Sequence, residues 1–297
     1  MRITNSMLSN LVLQDISSSY GRMEGYQLQL SSGKKYQYPS DNPAAVNQSL
    51  NIKSSLKNID QYLSNINNGV SWLNTADSAL RDAADLLHTA KELAVKGANA
   101  TYSQDELNSM ATEVDQLLGS MLDTANTSYA GRYIFAGFKT TTQPFTKVAG
   151  SPDTVSYNGD QGSTNYEIDQ GVNVTINIPG STVFKGSTDV FQTLINLRDH
   201  LRAGNYAAVS GDASQVDNAL NAITSALSTV GTTTNRLDLT KNNLEQGQVN
   251  LSQILSNVED ADMPNVLVKL KTEQTVYQAA LMTGSMVIQK SLIDFLT

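Results

Sequence analysis

The chain has 297 residues, 16 % of them charged, a net charge of -8 and no cysteine. An acidic chain without a basic stripe matches a phosphate backbone poorly, which argues against a nucleic-acid partner. The missing cysteine excludes disulfides, thiolate metal sites and a cysteine nucleophile. The opening "MRITNSMLSNLVLQDISSSY" lacks the apolar core of ~7–15 residues of a cleaved signal peptide, and no apolar run approaches the ~18 residues of a membrane span. The expectation is a protein without a membrane partner, either cytoplasmic or exported without a cleaved signal.

The first element is a thin amphipathic helix within residues 1–30. Leu13, Ile16, Tyr20, Met23, Gln27 and Leu30 follow 3-4 spacing. The stretch "LSSGKKYQYPSDNPAAV" then stops it. Ser32-Gly33 is a helix-stop signal, and Pro39 and Pro43 push the residues before them out of the helical region. Asn42-Pro43 reads as a new start, with an Asn cap and a proline at the first helical position.

From Pro43 to about Lys96 the pattern is strongest. Ile52, Leu56, Ile59, Leu63, Ile66, Val70, Leu73, Asp77, Leu80, Ala84 and Leu87 alternate steps of four and three, a heptad seam with one polar interruption at Asp77. Such a helix would be ~80 Å long and would need partners along its length. Next, "SQDE" (Ser103–Glu106) is a capping box, and the helix it opens is expected to reach Ala130-Gly131.

The period then changes to two. "YIFAGF", "NYEID" and "VNVTINI" read as strands, with Val172, Val174, Ile176 and Ile178 on one face. Residues 133–186 are expected to form a small β-rich insertion whose removal would leave the helical seams intact. Helix resumes at "DVFQTLINLRDHLRAG". A second long seam follows through Val216, Ile223, Val230, Leu237, Leu244, Leu251 and Leu255. "EDADMP" ends it, because Pro264 cannot sit inside a helix. A last helix carries Leu267, Leu270, Tyr277, Leu281, Ile288 and Phe295.

The order of elements is palindromic. The simplest packing is mainly α: a long antiparallel coiled-coil or helical-bundle rod, a small inserted β-rich domain, and terminal helices that order on assembly. The expected segments are 1–42 (terminal helix and hinge), 43–132 (rod), 133–186 (insertion), 187–262 (rod) and 263–297 (terminal helix). The hinges would be Gly33, Pro39, Pro43 and Pro264. The rod seam would hold Leu56, Ile59, Leu63, Ile66, Val70, Leu73, Leu237, Leu244, Leu251 and Leu255. The terminal helices are marginal alone in water. They either fold on meeting a partner or pack back on the rod, and the pattern does not choose between these.

"QLQLSSGKKYQYPSDNPAAV" and "NRLDLTKNNLEQGQVNLSQILSNVEDADMP", with the C-terminal helix, resemble the ends of the flagellin superfamily. Within it, "PSDNPAAV" (Pro39–Val46) and "AGRYIFAGFKTTTQPF" (Ala130–Phe145) are similar to the branch that joins hook to filament. The resemblance implies terminal helices that form the inner tube of a bacterial flagellum, with the rod outside them. It implies export through a narrow channel, a homo-oligomeric ring, and contacts to a hook-associated protein, to flagellin and to an export chaperone.

Other side chains suggest less. His88 and His200 have no ligand-spaced partners. "EDAD" (Glu259–Asp262) lacks the glycine turn and final glutamate of a calcium loop and fits better as negative charge before the last helix. Asp77 is expected where the seam meets solvent, and Trp72 as packing. No nucleophile–base pair or phosphate loop stands out, so neither an enzyme nor a cofactor is expected. The function readings are a junction adaptor, a filament flagellin, and a cytoplasmic coiled-coil scaffold.

Overall fold

The computed structural model describes residues 5–148, 150 and 153–293. The chain forms two compact units, Met1–Asn58 with Gln246–Thr297, and Ile59–Glu245. Helices α2 (Pro43–Gly97) and α6 (Tyr206–Glu259) contribute to both. The remaining helices are α1 (Asn5–Ser32), α3 (Gln104–Ala125), α4 (Gly180–Phe184), α5 (Val190–Arg202) and α7 (Met263–Ile293).

The local signals act where their chemistry dictates. The Ala45 amide donates to Asn42 Oδ1 at 3.1 Å, so Asn42 caps α2 and Pro43 stands at its first position, where a missing N–H costs nothing. Ser103 and Glu106 form the reciprocal capping box of α3. Asp189 caps α5 through the Gln192 amide at 3.0 Å. Asp262 caps α7 through the Asn265 amide at 3.2 Å, which leaves Pro264 in the first turn.

In the unit Ile59–Glu245, α2 and α6 run antiparallel. Gly69 faces Leu237, Lys91 pairs with Asp217 at 2.6 Å, and Gly97 faces Val209. Leu73, Leu80 and Leu87 of the α2 seam are buried beside Val216, Ile223, Val230 and Leu237 of α6. Past Leu73 the buried stripe keeps the heptad spacing but takes a neighbouring row. Ala76, Ala83 and Ala90 are buried, whereas Asp77 and Ala84 are not. Here α3 and α5, packed on each other, also join the core. The buried stripe therefore turns toward the alanines, whose size admits several helices at once. Asp77 points outward and receives Arg81 at 2.6 Å.

Three antiparallel hairpins fill residues 128–175: β1 (Ser128–Tyr129) with β2 (Arg132–Tyr133), β3 (Phe145–Val148) with β4 (Thr154–Tyr157), and β5 (Asn165–Asp169) with β6 (Val172–Thr175). Two expectations need correction. Helix α3 stops at Ala125, and residues up to Gly131 form the first hairpin instead. "YIFAGF" is a strand only at its first residue; Ile134, Phe135 and Ala136 are buried in turns. The strand of alternating valines ends at Thr175, short of Ile176 and Ile178; Val174 and Ile176 are buried and Val172 is 37 % exposed.

The β-rich stretch also packs against α5. Phe145 and Phe184 stack against Phe191 of α5 with ring centroids 5.1 and 5.8 Å apart, and Phe184 meets Phe135 edge-on. A Cβ on Gly180 would come within 2.7 Å of the Phe145 ring and 2.9 Å of the Phe135 carbonyl, so only glycine fits beneath this cluster. Residues 140–185 contribute Phe145 and Phe184 to this cluster, and Phe135 and Phe191 lie outside them.

Ala130 (φ 48°) and Gly131 (φ 76°) are the two loop residues of the first hairpin. Positive φ at both is the type I′ pattern, which favours Asn-Gly. Ala130→Asn should therefore stabilise the unit by about 0.5–1 kcal/mol, since a Cβ residue without a local hydrogen bond is disfavoured there. Denaturant unfolding checks this, and a lower midpoint would count against the turn assignment.

Candidate assembly interface

In the unit formed by the chain ends, α1 lies antiparallel along α7. Three contacts set the register. Val12 and Ile16 meet Gly284, where an added Cβ would sit 3.0 and 3.6 Å from their methyl groups. Tyr20 stacks on Tyr277 at 6.1 Å. Glu273 Oε1 accepts hydrogen bonds from Ser19 Oγ at 2.6 Å and from Arg22 Nη2 at 2.6 Å. These bonds hold the Glu273 carboxyl below the ordinary carboxylate range. Arg22 is half exposed, so the pair fixes register more than it adds stability.

The residues expected to make subunit contacts divide by burial. Leu270 is buried, with its neighbour Val266. Ile16, Met23, Leu30 and Tyr277 are half-buried. Leu13 (56 %), Tyr20 (55 %), Leu267 (49 %) and Leu281 (45 %) are exposed. For Ile288 only helix backbone is described, and Phe295 lies outside the described residues. The sequence alone left these helices without a partner inside the chain; the structure pairs them with each other. Ser19, Arg22, Glu273 and Gly284, which make that pairing, escaped the pattern because polar and glycine positions carry no apolar period. Gly284 was the readable signal, since a glycine inside a helix implies close approach of another backbone.

One side of α7 is covered by α1, yet Leu267, Val268, Val276, Leu281, Met282 and Met286 remain 45–70 % exposed around the rest of it. A helix apolar on most sides is normally buried on most sides. The pair is chemically equipped to add further helices, not to bind a small polar molecule.

The connecting segments hold the expected hinge residues. Gly33 (φ 71°) ends α1 in the left-handed region. Between Gly33 and Pro43 the chain is tied down. Asp41 Oδ2 accepts from the Gln37 and Tyr38 amides at 2.9 and 3.0 Å, and Gln29 Nε2 donates to the Lys35 carbonyl at 3.0 Å. The rod-seam residues of this unit, Leu56, Leu251 and Leu255, are half-buried, as are Ile59, Leu63, Val70 and Leu244 in the other unit; Ile66 is fully buried.

Among the described residues no cluster of three or more His, Cys, Asp or Glu side chains is arranged to hold a metal ion, and no helix is long and apolar enough to cross a membrane. "EDAD" divides its work: Asp262 caps α7, while Glu259 takes three donors from elsewhere. His88 is exposed. His200, expected to lack an acidic partner, shares a 2.6 Å hydrogen bond through Nδ1 with the buried Asp212. Twelve residues separate them, so spacing did not reveal the pair. Burial pushes the Asp212 carboxyl up, and His200 only partly offsets it.

The buried Arg198 is the strongest electrostatic feature of the other unit. It donates to Asp199 at 2.8 Å, Asp115 at 2.8 Å and Asp153 at 3.0 Å, and thereby ties α3 and the β3–β4 hairpin to α5. Its hydrogen bonds hold Asp115 and Asp153 below the ordinary carboxylate range. For groups so depressed, the stabilisation is present above the ordinary carboxylate pKa and lost as pH falls through the folded value. Arg198→Met should cost about 1–3 kcal/mol at neutral pH, discounted because the carboxylates are partly exposed. It should also flatten the acid limb of a stability–pH profile below pH ~4. An unchanged acid limb would show that Arg198 does not hold these carboxylates.

The helical class this architecture defines is matched by two family models: the bacterial flagellin N-terminal helical region over residues 3–140 and the bacterial flagellin C-terminal helical region over residues 213–296. The chain belongs to the flagellin family. Within that family it is 29 % identical to flagellar hook-associated protein 3 of Escherichia coli (strain K12) over 189 residues, 63 % of this chain and 58 % of that protein. The match thus spans less than two thirds of that relative. Among solved structures, a hook-associated protein from Vibrio parahaemolyticus superposes with a TM-score of 0.68 over 74 % of this chain and 100 % of that one, at 21 % identity. The flagellar junction protein FlgL from Legionella pneumophila does so at 0.60 over 73 % of this chain and 100 % of that one, at 18 % identity. At these identities the superpositions carry the fold alone.

Proposed function

We propose that this chain is a structural subunit of the bacterial flagellum that joins a hook-associated protein to the flagellin filament, exported without a cleaved signal. The observation that carries the reading is the α1–α7 pair. It is built from the two chain ends that match the flagellin family, and it leaves apolar side chains exposed on the outward sides of both helices. The terminal segments 1–42 and 263–297 serve assembly, and the helices between them form the rod. Copies of the chain form a ring by mutual burial of those side chains; a hook-associated protein and flagellin are its neighbours, and a chaperone holds the chain before export. The similarity to a protein named flagellar hook-associated protein 3 supports the junction over the filament. No catalytic role is assigned.

Deleting the gene tests this. The expected result is hooks without filaments, with flagellin lost to the medium, and restoration by the full chain. Quantifying the chain in purified flagella separates the alternatives. A junction subunit is a trace component and a filament subunit the bulk. Normal filaments in the deletion strain would overturn the reading.

A further inference from the structure

The two segments that connect α1 and α7 to the long helices run side by side. The Lys35 amide donates to the Glu259 carbonyl at 2.7 Å and the Ala261 amide to the Gly33 carbonyl at 2.8 Å, with Lys34 and Asp260 as antiparallel bridge partners. At their crossing sits the Glu259 side chain, 11 % exposed. It accepts from Ser49 Oγ at 2.8 Å and pairs with Lys53 Nζ at 2.6 Å and Lys34 Nζ at 2.5 Å. Glu259 is the last residue of α6, where the helix dipole disfavours an anion. Nothing local explains a carboxylate there; the three donors, brought from the linker and from α2, do.

We infer that Glu259 is a latch, a positioning residue that locks both connections and the start of α2 into one rigid joint and so fixes the direction in which the α1–α7 pair is presented. Packing alone does not hold this joint. A cleft of about 250 Å³ lies among the linker, the first turns of α2 and the end of α6, walled by Tyr36, Pro39, Val46, Leu50 and Val258. The polar ties at its edge close what the apolar walls leave open. Burial acts to raise the Glu259 pKa, but the hydrogen bonds from Lys34, Lys53 and Ser49 override it and bring the carboxyl down to about 2. Since its ordinary value is 4.5, the contribution is present above that value and lost only as pH falls toward 2. Asp260, the other carboxylate acting on Lys34, lies exposed on the same connection. The latch therefore stays charged through mild acid.

The chain has no cysteine, so two introduced labels report without background. Spin labels at the exposed positions Ser18→Cys on α1 and Ser54→Cys on α2 would read the joint by the width of their distance distribution in the isolated chain, independently of the flagellar reading. The parent should give one narrow peak. Glu259→Gln keeps the shape of the side chain but leaves Lys34 and Lys53 without a counter-charge, and it should lose that single peak to a broad distribution. Lys34→Gln and Lys53→Gln should each broaden it partly, and Asp260→Asn should leave it unchanged. Circular dichroism confirms folding. Should Glu259→Gln fail to fold, the two lysine variants decide alone. A parental width in Glu259→Gln, or in both lysine variants, would overturn the latch, as would equal broadening by Asp260→Asn.

Discussion

A chain ending at Asp262 should keep the unit Ile59–Glu245 folded and should fail to assemble. The cut removes α7, the helix along which α1 packs. Val12, Ile16 and Ser19 lose their cover, and Arg22 loses Glu273. Val12 and Ile16 are half-buried, so each forfeits only part of the about 1.5–3 kcal/mol of a fully buried side chain. A lone helix such as α1 does not hold itself together in water at this length and composition. Amide exchange should show α1 protected in the full chain and unprotected in the truncated one, while residues 80–94 exchange equally slowly in both. Electron microscopy of cells carrying the truncated chain should show no filaments. Full filaments would remove the terminal helices from the assembly mechanism, whatever the exchange data show.

Leu80→Asp should unfold or severely weaken the central unit. Leu80 is fully buried in the shared helical core, beside alanines too small to make way for hydration. An unpaired carboxylate there costs several kcal/mol, among the larger single-residue effects. For a unit of this size that lowers the melting temperature by about 10 °C or more. Leu63→Asp should cost less, because Leu63 is only half-buried. Gln61→Asp, at an exposed position bonded only to Asn65 within the same helix, should be nearly neutral. Thermal unfolding ranks the three; equal midpoints for Leu80→Asp and Gln61→Asp would contradict the assigned core.

By itself the sequence determined the long helices, most of their ends and the family, but not the end of α3 at Ala125. Caps and prolines act within one turn of chain, so Asn42-Pro43, Ser103–Glu106 and Asp262–Pro264 were legible without neighbours. The long 3-4 repeats marked α2 and α6 because a face buried over many turns leaves a period in the chain. What only the tertiary structure decided was which face is buried, and by what. A heptad cannot show that the stripe turns from Asp77 to Ala76, Ala83 and Ala90, because that depends on α3 and α5 arriving from elsewhere. Nor could period-two patterning show that Phe145 and Phe184 complete a helical core through Phe191. The pairing of α1 with α7, Glu259 with Lys34 and Lys53, Arg198 with Asp115 and Asp153, and His200 with Asp212 joins residues far apart in the chain, Ser19 and Glu273 by 254 positions. Charge and hydrogen-bond partners meet only after the chain has folded, and a polar side chain looks the same in sequence whether it faces water or a buried counter-ion.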